Sequence, residues 1–124
     1  MLLSAMAAIV FFVGGIGIMN VLFVSIKERT NEIGILKAIG MPQSSILLEF
    51  LIESAAISCI GGALGCAVSF AVVPAVEYFG IRIETNVFSF LAALGFSVLT
   101  GTLFGIYPAW KASRLEPVEA LNAE

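Results

Sequence analysis

The chain has 124 residues, of which 60% are hydrophobic and only 12% are charged, and its formal net charge is −3. Soluble globular domains carry about 45–50% apolar and about 25% charged residues, so this composition excludes an ordinary water-soluble domain and indicates a membrane protein. The small net charge and the lack of a basic stripe argue against a nucleic-acid partner.

Three long apolar segments predict membrane-spanning helices, because a hydrocarbon core about 30 Å thick needs about 20 apolar helical residues. Open sheet edges would leave backbone groups without partners in lipid, so helices are expected rather than strands. The spans are expected at about residues 2–24, 46–79 and 87–110, with a cytoplasmic tail over residues 111–124. The predicted fold class is an all-α polytopic membrane protein with three transmembrane helices and a short amphipathic cytoplasmic helix between the first two.

That short helix is expected at about residues 28–40. Ile33, Leu36 and Ile39 recur there at spacings of three and four, which is typical of an amphipathic helix, and Gly40 favours its end. The charges are of mixed sign, which suits a protein surface better than an anionic lipid surface, where a basic face is expected. Two interpretations stay open here, namely a solvated interfacial loop and a docking helix for a cytoplasmic subunit.

The second span begins after Pro42, which is expected in the first turn of its helix. Glu49 and Glu53 follow one turn apart on one helix face, and carboxylates in membrane segments are functional candidates by default. They lie near the expected inner interface, where they can reach water or Lys37. Structural anchoring and proton relay are the interpretations that the residues themselves allow.

All three spans are rich in small residues, which let helix backbones approach closely. Cys59 and Cys66 are interpreted in the same way, since seven residues along one helix is too far for a disulfide. The glycines in these rows are Gly14, Gly15 and Gly17 in the first span, Gly61 and Gly65 in the second, and Gly101 and Gly105 in the third. A further row is formed by Ser58, Gly62 and Cys66. These rows are interpreted either as packing among the three helices or as a face for an absent helix or a second subunit.

Basic residues are unevenly distributed over the connecting segments. Five of them follow the first or third span, namely Lys27, Arg29, Lys37, Lys111 and Arg114. Only Arg82 lies between the second and third spans. Because cytoplasmic loops carry an excess of Lys and Arg, the N-terminus is expected outside and the C-terminus in the cytoplasm.

Two stretches of the chain resemble a known family. Residues 14–54 read GGIGIMNVLFVSIKERTNEIGILKAIGMPQSSILLEFLIES, and residues 103–124 read LFGIYPAWKASRLEPVEALNAE. Together they resemble the membrane domain of ABC transporter permeases of the MacB/FtsX-like family, whose closing pattern is F-G-x-x-P-A-x-x-A-x-x-L-x-P-x-E-A-L. The resemblance covers nearly the whole chain.

The resemblance implies a non-catalytic permease that works as a homodimer with ABC ATPase subunits in the bacterial inner membrane. ATP and Mg²⁺ would act in the ATPase, and this chain would bind no cofactor or metal. An extracytoplasmic adaptor and membrane lipid complete the implied partners. The short helix would be the coupling helix pressed into the ATPase, with Ile33, Leu36 and Ile39 contacting it or anchoring the helix against the spans. The implied coupling residues are Glu28, Arg29, Glu32, Ile33, Gly34, Leu36, Lys37 and Gly40.

The same resemblance implies that Glu49 and Glu53 contact the ATPase or relay its motion. The family moves force across the membrane to export or extract substrate at the outer side, and MacB-like efflux is the most similar activity. The alternatives are a mechanotransmitting regulator of an extracytoplasmic partner and a truncated, non-functional fragment. The second alternative arises because the family's first span and extracytoplasmic domain are absent from this sequence. No enzyme activity is expected, since the chain contains no His, no Asp and no G-x-x-x-x-G-K-[ST] loop.

Overall fold

A computed structural model describes residues 1–122 of the chain, apart from the side chains of Glu119 and Leu121. The helices described are α1 (Leu2–Glu28), α2 (Thr30–Ala38), α3 (Gln43–Tyr78), α4 (Val87–Ser113) and α5 (Pro117–Leu121). Within this part of the chain, α1, α3 and α4 are long and apolar enough to cross a membrane. The predicted all-α class with three spans and a short helix between the first two is therefore confirmed. α5 lies within the predicted tail, whose last residues, 123 and 124, fall outside the described part.

The junction of α1 and α2 lies at Arg29, so α1 extends beyond its predicted end at about residue 24 and α2 begins after the predicted residue 28. α1 continues past residue 24 because residues 25–28 contain no helix breaker, and Glu28 therefore belongs to α1. Arg29 has φ −99° and ψ 11°, outside the helical range, yet its N–H donates to the Ser25 carbonyl at 3.0 Å. Its own carbonyl accepts from the Ile33 N–H, also at 3.0 Å. Arg29 therefore forms a bend between the two helices, and no loop separates them.

α2 ends where Gly40 takes a φ of +96°, a conformation that favours glycine. The Met41 N–H donates to the Leu36 carbonyl at 3.0 Å, and the Gly40 N–H donates to the Lys37 carbonyl at 3.1 Å. This Schellman arrangement satisfies carbonyls that the helix end would leave free. Pro42 is the N-cap residue of α3, with ψ 149°, so it lies just before the helix instead of in its first turn as expected.

α3 and α4 pack as an antiparallel pair along a seam of serines and glycines. Ser54 lies against Gly105, Ser58 against Gly101, and Gly62 against Ser97. A Cβ atom at Gly101 would overlap the Ser58 hydroxyl, so only glycine fits there. The Ser97 Oγ donates to the Ser58 carbonyl at 2.8 Å and links the two helices in apolar surroundings. This set of six residues is called the serine–glycine seam below.

α1 packs mainly against α4 rather than α3. The ring of Phe104 packs against Gly15. The centroid of the Phe11 ring lies 5.5 Å from the centroids of the Phe96 and Phe104 rings. Leu22 is fully buried beside the seam. Of the glycines predicted to pack, Gly15, Gly101 and Gly105 therefore have close neighbours within the chain. A Cβ atom at the others would meet no described atom within 4 Å, and these are Gly14, Gly17, Gly61 and Gly65.

An apolar cluster joins α2 to the spanning helices. Its buried members are Ile26, Ile33, Ile46, Phe50, Ala109 and Ala112, which come from α1, α2, α3 and α4. Phe50 and Ile46 are among the largest fully buried side chains described. This cluster is called the inner core, and the part of the bundle around it is called the α2 end. The opposite part, where residues 79–86 join α3 to α4, is called the loop end.

Candidate functional site

Arg29 binds carboxylates from two helices at the bend that it forms. Its Nη2 donates to Glu49 Oε1 on α3 at 2.7 Å, and its Nε donates to Glu32 Oε2 on α2 at 3.2 Å. Its Nη1 lies 3.8 Å from Glu53 Oε2, one turn further along α3. These four residues are called the Arg29 cluster. One guanidinium thus connects the end of α1, the start of α2 and the first turns of α3.

The electrostatics of the cluster follow from these contacts. The hydrogen bond to Glu49, followed by that to Glu32, raises the pKa of Arg29 above its ordinary value. Arg29 is therefore cationic at every physiological pH. Its side chain is 38% exposed and that of Glu49 is 42% exposed, so water and salt weaken the attraction. The cluster is a partly hydrated interfacial ion network rather than a buried ion pair.

Glu53 is bound differently from Glu49. The Ser25 Oγ on α1 donates to Glu53 Oε1 at 3.1 Å. Glu53 Oε2 is buried, and the described residues offer it no hydrogen bond, although Arg29 Nη1 lies nearby. Carboxylate oxygens away from water usually have a hydrogen-bond partner, so this atom is an exception.

Lys37 does not join these carboxylates, in contrast to the expectation from the sequence. Its Nζ donates to the Leu115 carbonyl, in the segment that connects α4 to α5. α5 packs against α2, and Ala120 on α5 is only 2% exposed. Lys37 therefore holds α2 against the C-terminal segment. Charge spacing along α3 could not reveal this, because the partner is a backbone carbonyl far away in sequence.

The predicted apolar stripe of α2 is divided between two faces. Ile33 is 3% exposed and lies in the inner core, while Leu36 is half-buried. Gly34, one of the implied coupling residues, is buried as well, so it faces the rest of the chain. Ile39, by contrast, is 76% exposed. Ile33 therefore anchors α2, whereas Ile39 faces outward.

The outward face of α2 includes a residue that the sequence reasoning missed. Ile35 is 51% exposed and lies one turn before Ile39, so the two form an apolar ridge. The residues of this face are Asn31, Glu32, Ile35, Ala38 and Ile39, and Glu28 and Gly40 are exposed at its two ends. The spacing of four between Ile35 and Ile39 was visible in the sequence. The pattern through Ile33 was preferred instead, because both patterns fit one short helix.

These features together form a helix with one anchored and one open face. The anchored face is held by the inner core, by Lys37 and by α5. The open face combines an apolar ridge with an exposed carboxylate, Glu32. Such a helix can bind a protein surface and pass a displacement to α3 through the Arg29 cluster.

Comparison with known proteins identifies the family. Residues 4–117 match the family described as FtsX-like permease C-terminal. The macrolide export ATP-binding/permease protein MacB 2 of Aeromonas hydrophila is 48% identical over 126 aligned residues, which cover 100% of this chain and 20% of that protein. The MacB proteins of Bdellovibrio bacteriovorus and Shewanella oneidensis are 49% and 47% identical, again over 100% of this chain and 19% of their own lengths.

The chain thus spans about a fifth of the length of the relatives that it matches. The family match covers most of the chain, and three apolar helices of spanning length agree with it. The chain therefore belongs to the FtsX-like permease family, as a C-terminal membrane domain and a permease component of the ABC transporter class.

Proposed function

We propose that this domain couples ATP hydrolysis by an ABC ATPase to the export or extraction of substrate at the outer side of a bacterial inner membrane, with α2 as the coupling helix. The observation that carries the proposal is the division of α2 into an anchored and an open face. The relatives are named as ATP-binding/permease proteins for macrolide export, which supports an ATPase partner and MacB-like efflux. ATP and Mg²⁺ act in that ATPase.

The open face of α2 has the chemistry of a protein docking surface. Ile35 and Ile39 are more than half exposed, which is costly in water and favourable against an apolar groove. Glu32 lies beside them with its side chain 68% exposed, and it can orient the helix through a charge pair at the rim. An ATPase groove with apolar walls and a basic rim is the partner that fits this face.

The anchored face explains how docking would move the membrane helices. Ile33 is packed in the inner core with Ile46 and Phe50 of α3 and with residues of α1 and α4. The Arg29 cluster adds polar contacts between the α1–α2 bend and α3. A displacement of α2 is therefore passed to α3 directly, through both apolar and polar contacts.

Membrane partners and orientation complete the proposal. The open glycine faces at Gly14, Gly17, Gly61 and Gly65 suit a second permease copy or a further helix, because small residues allow close approach. The excess of Lys and Arg at the α2 end supports its placement in the cytoplasm, with the N-terminus and the loop end outside. An extracytoplasmic adaptor at the loop end is the remaining proposed partner.

The test compares two exposed isoleucines at opposite ends of the bundle. Ile35→Asp, alone and with Glu32→Lys, is introduced into the intact transporter, and ATPase co-purification and ATP turnover are measured. Loss of a central apolar anchor commonly costs at least about 1.4 kcal/mol, so at least about a tenfold loss of ATPase binding is expected. The matched control is Ile81→Asp, because Ile81 is 58% exposed in the loop-end connection and should leave binding unchanged.

Wild-type ATPase binding and turnover in Ile35→Asp and in the double variant would overturn the coupling role of α2. Gly34→Trp is unsuitable for this purpose, because Gly34 is buried and its replacement would damage packing within the chain. Membrane insertion of each variant is checked first, so that loss of binding is not confused with loss of the protein.

A further inference from the structure

We propose that the Arg29 cluster is a two-position switch, in which Arg29 exchanges Glu49 for Glu53 as its main partner when α2 moves. The proposal rests on the proposed function, because ATP binding in the docked ATPase supplies the movement. It adds a regulatory step to that function, namely an exchange of ion pairs that divides the stroke of α2 into two defined positions.

The first support is that two carboxylates lie within reach of one guanidinium. Glu49 and Glu53 are four residues apart on α3, so their side chains project from one face about 5–6 Å apart. Arg29 donates to Glu49 at 2.7 Å, while its Nη1 lies 3.8 Å from Glu53 Oε2, too far for a hydrogen bond. A small movement of the guanidinium along α3 would form the second bond and lengthen the first.

The second support is that one carboxylate oxygen of Glu53 has no hydrogen-bond donor. Glu53 Oε2 is buried and accepts no hydrogen bond from the described residues, whereas the Ser25 hydroxyl holds Oε1 in place. An acceptor that is buried and unpaired costs free energy, which a guanidinium donor would recover. The position at Glu53 is thus preformed, aimed at Arg29 and occupied only partly in this conformation.

The third support is that Arg29 itself lies at the bend. Its backbone leaves the helical range between α1 and α2, so rotation there moves α2 relative to α1 and α3. Glu32 lies three residues further on and travels with α2, so its contact with Arg29 survives the exchange. The guanidinium also lies 5.7 Å from the ring centroid of Phe50, a residue that is only 1% exposed. Phe50 thus offers the guanidinium a buried aromatic neighbour that belongs to α3.

The test measures the position of α2 by spin-label distances in the intact transporter. Labels are placed at Asn122, which is exposed just after α5 and reports on the joined α2 and α5, and at Leu48, which is 57% exposed on α3. Cys59 and Cys66 are replaced by serine beforehand. In the wild type, ATP trapped in the ATPase should shift the distance by between about 2 Å and the ~5 Å of one helical turn.

The two glutamine variants should displace this equilibrium in opposite directions. E49Q weakens the position described here, so it should show the shifted distance without nucleotide. E53Q weakens the second position, so it should keep the unshifted distance and reduce the response to ATP. E77Q is the matched control, since Glu77 is an exposed carboxylate on the same helix, far from Arg29, and its loss should leave both the position of α2 and the response to ATP unchanged. If one variant fails to assemble, E49D and E53D replace the pair.

Identical distance distributions in E49Q and E53Q, with and without ATP, would overturn the switch. A difference between these variants without nucleotide, combined with a wild type that does not respond to ATP, would support the switch and contradict ATPase docking at α2. A wild-type response to ATP that both variants retain in full would keep the coupling role and remove the exchange. The two proposals therefore fail in distinguishable ways.

Discussion

The two ends of the bundle differ in how much of their surface the chain itself covers. The α2 end contains the inner core, the Arg29 cluster and the four buried residues of the serine–glycine seam. From residue 59 to residue 99, by contrast, every side chain is half-buried or exposed. The helices open there into a cleft of about 420 Å³ between α3 and α4 and a groove of about 530 Å³ between α1 and α4. Packing within one chain is thus concentrated where force is proposed to enter, and the far half meets lipid or other helices.

The largest expected effect separates a glycine in the seam from one outside it. Gly101→Leu should destabilise the domain by about 3 kcal/mol or more, because a Cβ atom there already overlaps Ser58. Gly61→Leu should change the stability of the single domain by less than about 0.5 kcal/mol, since its Cβ position is open. Thermal unfolding in detergent measures both.

Equal losses in these two variants would remove the contrast between the seam and the open glycine face. A reduced yield of oligomer in Gly61→Leu, with normal unfolding of the single domain, would instead sharpen it. That result would assign the open face to contacts between copies or between helices.

The second effect tests the ion network at the α2 end. Arg29→Gln should destabilise the domain by about 2 kcal/mol, because it leaves Glu49 and Glu53 without a cation, although exposure of the cluster reduces the cost below that of a buried pair. Lys27→Gln, two residues away and exposed, should have almost no effect. Unfolding at low and at high salt provides the check, since the difference between the variants should shrink as salt rises.

The Arg29 contribution should not depend on pH between about 6 and 9. The pKa of Arg29 is raised in the folded state, so its stabilising effect is fully present below the unfolded pKa and is lost only as the pH rises through the raised folded-state pKa, far above this range. A marked fall in the effect of Arg29→Gln at pH 8 to 9 would show that another group carries the stability of the cluster.

The third effect uses the two glycines that end helices with positive φ. Gly40, at φ +96°, ends α2, and Gly80, at φ +85°, ends α3 at the loop end. Alanine at either position should cost about 1 kcal/mol, because side chains disfavour this backbone conformation. Only Gly40→Ala should also lower the ATPase stimulation, since it alters the end of the proposed docking helix. Equal stimulation in both variants would mean that the geometry of this helix end is irrelevant to coupling.

The smallest effect concerns one hydrogen bond between α3 and α4. Ser97→Ala removes the bond to the Ser58 carbonyl and should cost about 0.6 kcal/mol, the average for such bonds between membrane helices. Ser69→Ala, an exposed serine in the open half of α3, provides the comparison and should be neutral. A cost for Ser69→Ala as large as that for Ser97→Ala would indicate that the open half is covered in solution.

The spans and the end of α2 could be read from the sequence because their causes are local. Apolar runs of sufficient length require helices in lipid, and Gly40 meets the need for a positive φ at a helix end. The start of α2 was less accessible. Residues 25–28 continue the first helix without a breaker, and the bend at Arg29 leaves no compositional signal.

The partners of the polar residues could not be predicted, because they depend on how separate helices pack. Glu49 pairs with Arg29 rather than Lys37, and Lys37 binds a backbone carbonyl near α5. Likewise, the sequence marks several glycine rows but does not say which row faces a neighbour. Ser58 and Gly62 enter the seam, whereas Gly61, next to them, lies about 100° around the helix and faces away.

The length of α3 gives the bundle the geometry of an unequal lever. Its 36 residues span about 54 Å, well beyond the ~30 Å of a hydrocarbon core. The seam holds the helix around Ser58, about 22 Å from its beginning at Gln43 and about 30 Å from its end at Tyr78. If α3 tilts as a rigid rod about Ser58, its end at Tyr78 moves in the opposite direction and about a third further than its beginning at Gln43. A displacement of a few ångströms at the beginning of α3 would thus cause a larger displacement, in the opposite direction, at its other end across the membrane.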